Sequence, residues 1–264
     1  MAGSNFSHEP IETPYISTKY RKIVTQIPVP ESLSILERMY ALESRSMHGQ
    51  LPIIWDRAEG CQVFDAFGNI WIDFTSTIFV ANAGHANKRI VDALNKQIKK
   101  PLLHTYTYAT AERVNYLEYL IEKTPHYLEK AFLLSAGTEA TEVALKLMRM
   151  NGQNKGKRQP GIVCFDGAYH GRTMGAQMMT GNRSAKNWIG YEDPYIHHLG
   201  FPYPWSDKIE NPKLFFRDSI YELLKEKAGP FDQGEILNEI GADLGYDLAS
   251  YIAWIKAQRN PLAD

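Results

Sequence analysis

The chain has 264 residues, 44% of them hydrophobic and 22% charged, and a formal net charge of −1. That length can bury a substantial core, the composition is ordinary for a soluble globular protein, and near-neutrality gives no electrostatic reason to expect nucleic acid, a membrane surface or a polyanionic partner. The two cysteines, Cys61 and Cys164, have no metal-ligand spacing and make no disulfide framework, which fits a reducing compartment.

The opening stretch "MAGSNFSHEPIETPYISTKY" is polar and lacks the apolar centre of a signal peptide, and no apolar run reaches bilayer length. The expectation is a cytoplasmic protein. Residues 1–30, polar and proline-bearing, read as an extended arm. A short helix follows in "PESLSILERMYALES", where Leu33, Ile35, Leu36, Met39 and Leu42 stand near helical spacing. The alternation in "LPIIWDRAEGCQVFDAFGNIWIDFTS", punctuated by Gly60 and Gly68, predicts two or three antiparallel strands. Two amphipathic helices come next, in "ANKRIVDALNKQIKK" and "ATAERVNYLEYLIEKTP".

From there the order changes. The strand-like "AFLLS" leads into a helix over 138–150, and the strand-like "GIVCFDG" leads through "AYHGRT" to another helix. Strand and helix in alternation imply an α/β fold with parallel strands, whose ligands gather beyond the carboxyl ends of the strands. The turns Ala136–Thr138 and Ala168–Thr173 both fall at that edge and are expected to face one site.

Gly137 and Thr138 stand where the helix offers unpaired N–H groups and the positive end of its dipole, a natural seat for a phosphate. Alternatively Thr138 is an N-cap and Gly137 only permits the turn. No Gly-Lys-Ser/Thr follows, so this is not a P-loop. Tyr169 offers a face for a flat ring, with His170 and close-approach Gly171 beside it; packing is the alternative. Two such turns after consecutive strands suit a flat, phosphorylated cofactor.

The stretches "LLSAGTEATEVALKLMR", "IVCFDGAYHGRT" and "FGNIWIDFTSTIFVANAGHANKRIVDALNKQ" resemble, in that order, the N-terminal half of the class III pyridoxal phosphate-dependent aminotransferases. The resemblance implies the fold-type I architecture: a mostly parallel sheet with flanking helices, here incomplete, and part of a small N-terminal α+β domain. It divides the chain into an arm (1–30), a small-domain segment (31–75), a partial large cofactor domain (76–228) and a divergent tail (229–264). It implies pyridoxal 5'-phosphate as cofactor, with Ala136, Gly137 and Thr138 at the phosphate and Tyr169, His170 and Gly171 at the ring. "STIFVANAGH" matches a substrate-pocket segment, so Ile78 and Phe79 would touch the amino donor or acceptor, unless they are ordinary core residues. Lys88 departs from the proline usual in the family's Gly-His-x-x-Pro.

Transamination also needs a lysine to hold the cofactor aldehyde and an acid to pair with the pyridinium nitrogen. Neither family motif is present, so no catalytic residue is assigned in this chain. Lys213, Lys225, Lys227 and Lys256 lie in charged or helical settings, and surface lysines are protonated and poor at this task. After "KLFFRDSIYELLKEK" the family pattern ends, and Leu237, Ile240, Leu244, Leu248, Tyr251 and Ile255 predict an amphipathic helix. The expectation is one subunit of a heteromeric, dimeric or larger aminotransferase whose lysine and acid come from a second polypeptide. It would move an amino group between an amine or amino acid and a carbonyl acceptor. A non-catalytic scaffold chain is the alternative. A hydrolase or metalloenzyme fits badly: there is no Gly-x-Ser-x-Gly, and the loop-like His197–His198 pair lacks further ligands at metal spacing.

Overall fold

The computed structural model describes residues 6–102, 104–157, 160–203 and 208–228. The expected tail 229–264, with Lys256, lies outside the described residues. The chain divides into two compact units, Met1–Thr110 and Ala111–Asp264, so the division falls inside the segment that the resemblance gives to the large domain.

The first unit is organised by an antiparallel sheet of β1 (Ile16–Ser17), β2 (Lys22–Ile23), β3 (Arg57–Glu59), β4 (Gln62–Phe64) and β5 (Ile70–Ile72), in the order β1-β2-β5-β4-β3. The alternation in 51–76 does make three strands, in register Ala58↔Val63 and Val63↔Trp71. Part of the arm joins them, because Lys22 pairs with Ile70. Asn69 makes that joint specific. It is fully buried, its Oδ1 accepts the Val24 N–H at 2.8 Å, and its Nδ2 donates to Thr25 Oγ1 and Asp65 Oδ2 at 2.8 and 2.6 Å. A buried amide with each of these bonds made fixes one register, since a slip would leave it unsatisfied. Val63, Ile23, Val29 and Leu36, the last from α1 (Leu33–Leu42), are buried in this unit. α2 (Ser76–Phe79) is a single turn, and α3 (Lys88–Ile98) is capped by Asn87, whose side chain accepts from the Arg89 N–H.

The second unit contains α4 (Ala111–Lys123), α5 (Gly137–Asn154), β6 (Ile162–Phe165), α6 (Met174–Met179), β7 (Ile196–Leu199) and α7 (Pro212–Ala228). β6 and β7 pair in parallel, Ile162 with Ile196 and Cys164 with His198, as the strand–helix order requires. His197 and His198, read from sequence as a loop pair, are therefore strand residues. They lie between the apolar Ile196 and Leu199, which pair with Ile162 and Phe165 of β6. Leu145, Ile162, Cys164 and Met179 form the core, with Ile196 against it. Burial pushes the Cys164 thiol up to about 11, so it is an inert core group.

One expected strand is missing. Residues 131–134 of "AFLLS" form no ladder, and Phe132, Leu133 and Leu134 are exposed. A parallel strand takes its hydrogen bonds from strands far away in sequence. Among the described residues β6 and β7 have only each other, and "AFLLS" has no neighbour.

Candidate functional site

Ala136 is the N-cap of α5, with extended φ −146 and ψ 159. This removes the N-cap reading of Thr138, which lies one residue inside the helix. The carboxylate of Glu139 accepts the N–H groups of Ser135 and Ala136 at 2.8 and 3.2 Å, and the first intrahelical bond runs from Ala140 to Ala136. The N–H groups of Gly137, Thr138 and Glu139 thus have no partner four residues back. A Cβ added at Gly137 would meet nothing within 4 Å. The glycine is not demanded by packing. It leaves open space over unpaired donors at the positive end of an 18-residue helix, which is what a phosphate needs.

The second turn leaves β6 and interlocks with the first. Thr141 Oγ1, one turn along α5, donates to the His170 carbonyl at 2.7 Å, and the His170 N–H donates to Thr180 Oγ1 at 3.1 Å. Gly171, at φ +140, lies so close to Thr138 that a Cβ there would stand 2.5 Å from Thr138 Oγ1. Glycine is needed at this position for both its conformation and its lack of a side chain. The expected meeting of the two turns is therefore present at side-chain contact. Glu142 adds a clamp: it takes bonds from the Thr173 hydroxyl and, at 3.0 Å, the Ala176 N–H, so α5 caps α6.

Tyr169 is 67% exposed, its ring not consumed by packing. Beside it, His170 Nε2 is buried without a hydrogen-bond partner among the described residues. Burial, and secondarily the charge of His198, hold this imidazole below its usual range and so favour the neutral form. A buried polar nitrogen without a partner is costly unless a ligand or water completes it. Open helix donors, a free aromatic face and an orphaned ring nitrogen together fit a flat phosphorylated cofactor.

Ile78 and Phe79 belong to the first unit, 71% and 78% exposed, which rules out ordinary core packing there. Their turn has positive φ at Ser76, Thr77, Ile78 and Phe79, from 48 to 69°. Left-handed backbone costs roughly 1–2 kcal/mol per non-glycine residue, and most for β-branched ones such as Thr77 and Ile78. Lys213 is exposed on α7. The sequence reading missed Thr141, Glu142 and Thr180, which lock the two turns together. Thr141 was legible as the residue three past Thr138 on one helix face; Thr180 carried no signal.

The aminotransferase class-III profile matches residues 44–230. The mitochondrial acetylornithine aminotransferase of Candida glabrata is 35% identical over 199 residues, 72% of this chain and 45% of that protein. The 4-aminobutyrate aminotransferase of Mycobacterium leprae is 34% identical over 236 residues, 88% of this chain and 49% of that protein. The taurine:2-oxoglutarate aminotransferase of Bifidobacterium kashiwanohense, solved with pyridoxal phosphate and glutamate, superposes with a TM-score of 0.64 at 21% identity, covering 78% of this chain and 46% of that one. The fold is therefore that of the fold-type I aminotransferases, in part, and the chain spans about half the length of the curated relatives it matches. This chain belongs to the class III aminotransferases, a family that works with pyridoxal 5'-phosphate.

Proposed function

We propose that this chain is the cofactor-cradling part of a class III aminotransferase, transferring an amino group between an amine or amino acid and a carbonyl acceptor. The observation that carries the reading is the interlock of Thr138 and Thr141 with His170 and Gly171, which joins helix donors and an exposed ring at one edge. Bound there, pyridoxal phosphate would supply the electron-withdrawing ring that makes amino transfer feasible. The N–H groups of Gly137 and Thr138 would hold the phosphate after Ala136 turns the chain into α5. Tyr169 would cover one ring face and exclude water from it. His170, neutral, would hold or offer a proton at Nε2. Ile78 and Phe79 would receive an apolar part of the substrate.

The lysine and the acid that complete this chemistry come, in this reading, from a second polypeptide. Support for a partner is structural as well as chemical. Among the described residues "AFLLS" and the outer edge of β6 pair with no strand, and an open, apolar sheet edge is a template for another chain's strands. Two unpaired cysteines, one exposed and one buried, suit assembly in the reducing cytoplasm.

The test is borohydride reduction of the native complex purified through this chain, followed by peptide mass mapping. A pyridoxyl-lysine on a second polypeptide is the expected result. A label within residues 1–264 would overturn the division of labour. No label on any polypeptide would overturn the enzyme reading and leave a scaffold chain.

A further inference from the structure

The residues 73–85 form a loop whose two ends are tied to each other and to one hairpin tip. Asp73 Oδ2 and His85 Nε2 are 2.8 Å apart, with the Asp73 side chain 3% and the His85 side chain 14% exposed. The other carboxylate oxygen of Asp73 accepts both the N–H and the hydroxyl of Thr75, each at 2.8 Å. The Asp73 N–H donates to the Cys61 carbonyl at 2.9 Å, while His85 exchanges both backbone bonds with Gly60, at 2.8 and 2.9 Å. Gly84 comes so close to Gly60 that an added Cβ would lie 3.5 Å from the Gly60 Cα. The Trp55 ring meets His85 edge-on, 5.9 Å between centroids.

Between these ties lies the left-handed turn. Phe79 donates back to Thr75 at 3.0 Å, and Val80 and Ala81 both donate to Ser76 at 2.8 Å. Four consecutive non-glycine residues at φ 48, 52, 60 and 69 do not hold this form by local preference. Such backbone persists where its surroundings over-determine it. Within the turn the apolar side chains supply no packing, since Phe74, Ile78, Phe79 and Val80 are exposed. The two side-chain bonds made there, from Thr77 Oγ1 to the Ser76 carbonyl at 2.7 Å and from Asn82 Nδ2 to the Phe79 carbonyl at 2.5 Å, are both solvent-exposed. The buried constraint sits at the base of the loop, in the Asp73–His85 pair.

We propose that Asp73 and His85 are positioning residues: their buried pair clasps the loop and keeps α2 in its left-handed turn, and so sets where Ile78 and Phe79 stand. That this turn serves an amine site rests on the function proposed above. The clasp itself does not, because it is read from the free chain. Nothing in the sequence patterning of strands and helices marks these two residues, twelve positions apart, as a pair.

Hydrogen exchange on the full chain, as purified, tests it without cofactor or substrate. Asp73→Asn is expected to speed exchange of the Phe79, Val80 and Ala81 amides at least tenfold and to leave the β4–β5 ladder unchanged. His85→Ala should do the same, and His85→Gln, which keeps a donor, should retain most of the protection. Adding Thr77→Gly to Asp73→Asn should restore much of it, since glycine takes positive φ without strain. Unaltered protection in both single variants overturns the clasp. A uniform loss across the β4–β5 ladder overturns it too, since the pair would then be a general prop of the unit. Failure here leaves the borohydride result untouched, and a failed borohydride trapping leaves the clasp untouched.

Discussion

The two sheets of this chain are built by opposite rules, and the contrast shows where nearby side chains must hold a turn that a sheet does not. In the first unit every strand of the β3-β4-β5 meander finds its partner within a dozen residues, and the arm closes the sheet through Lys22 and Asn69. In the second, β6 meets β7 only after a helix and a 3₁₀ turn, and "AFLLS" meets no strand among the described residues. Antiparallel structure is assembled locally, whereas parallel structure is assembled from distant segments. Among the described residues this sheet has two strands, and the turns beside it are nonetheless held. They are held by side chains near them: Thr141 and Thr180 bond the His170 backbone, and Glu142 bonds the Ala176 N–H.

The sharpest way to break this comparison is Gly181→Ala. A Cβ there would stand 2.3 Å from the Phe165 carbonyl and 2.4 Å from the Gly167 N, both backbone atoms that cannot swing away. The Gly181 N–H also donates to the Ala168 carbonyl at 2.8 Å, closing the second turn. If side chains and turns, not a full sheet, hold this unit, the substitution costs about 3 kcal/mol, the upper end for overpacking. Urea unfolding followed by hydrogen exchange should show the loss in the second unit and leave β4–β5 intact. An unchanged midpoint would mean that the turn yields readily and does not organise the unit.

Acid separates the units next. In the first, bonds from His85 and Thr75 hold Asp73 at about 2, against an ordinary 3.8. A depressed carboxylate contributes stability that is fully present above pH 3.8 and is lost as pH falls through about 2. In the second, burial pushes Asp193 up, but its bonds with Arg149 and the Tyr195 N–H bring it below its usual value. Glu142 behaves alike: burial raises it, and Thr173, Ala176 and Gly175 lower it on balance. The same sign holds for all three, so both units weaken on acidification. Asp73→Asn should remove that loss from α2 and its loop, and Glu142→Gln from the α5–α6 contact, each without changing the other. Exchange measured from pH 5 downward would show it, and a single shared transition unaffected by either variant would refute the local account.

Much of this was legible in the sequence, for reasons that differ between the units. The meander announced itself by alternation with Gly60 and Gly68 at its turns. The meeting of Thr138 with Gly171 was anticipated from strand–helix order, and the structure brings the two together although "AFLLS" makes no ladder among the described residues. Two things were not legible. "AFLLS" has the composition of a buried strand, and composition cannot say that the neighbours are elsewhere. The left-handed turn at 76–79 has no glycine to mark it, because its cause is a clasp between Asp73 and His85 and not a local preference.

The smallest effect on stability is expected at Gly137, and there the comparison is most instructive. Gly181 and Gly137 are both glycines at turns of the second unit, but a Cβ at Gly137 meets nothing within 4 Å. Gly137→Val should therefore shift unfolding by less than about 1 kcal/mol, the scale of helix propensity at a terminus. In the assembled enzyme it should nevertheless lower pyridoxal phosphate affinity at least tenfold, because the side chain would fill the space over the unpaired N–H groups. If affinity holds while the fold holds, the open space at Gly137 is mere surface and the phosphate seat lies elsewhere. If affinity falls while the fold holds, the glycine was kept open for a ligand. Packing never required it, so only a bound group can account for the loss.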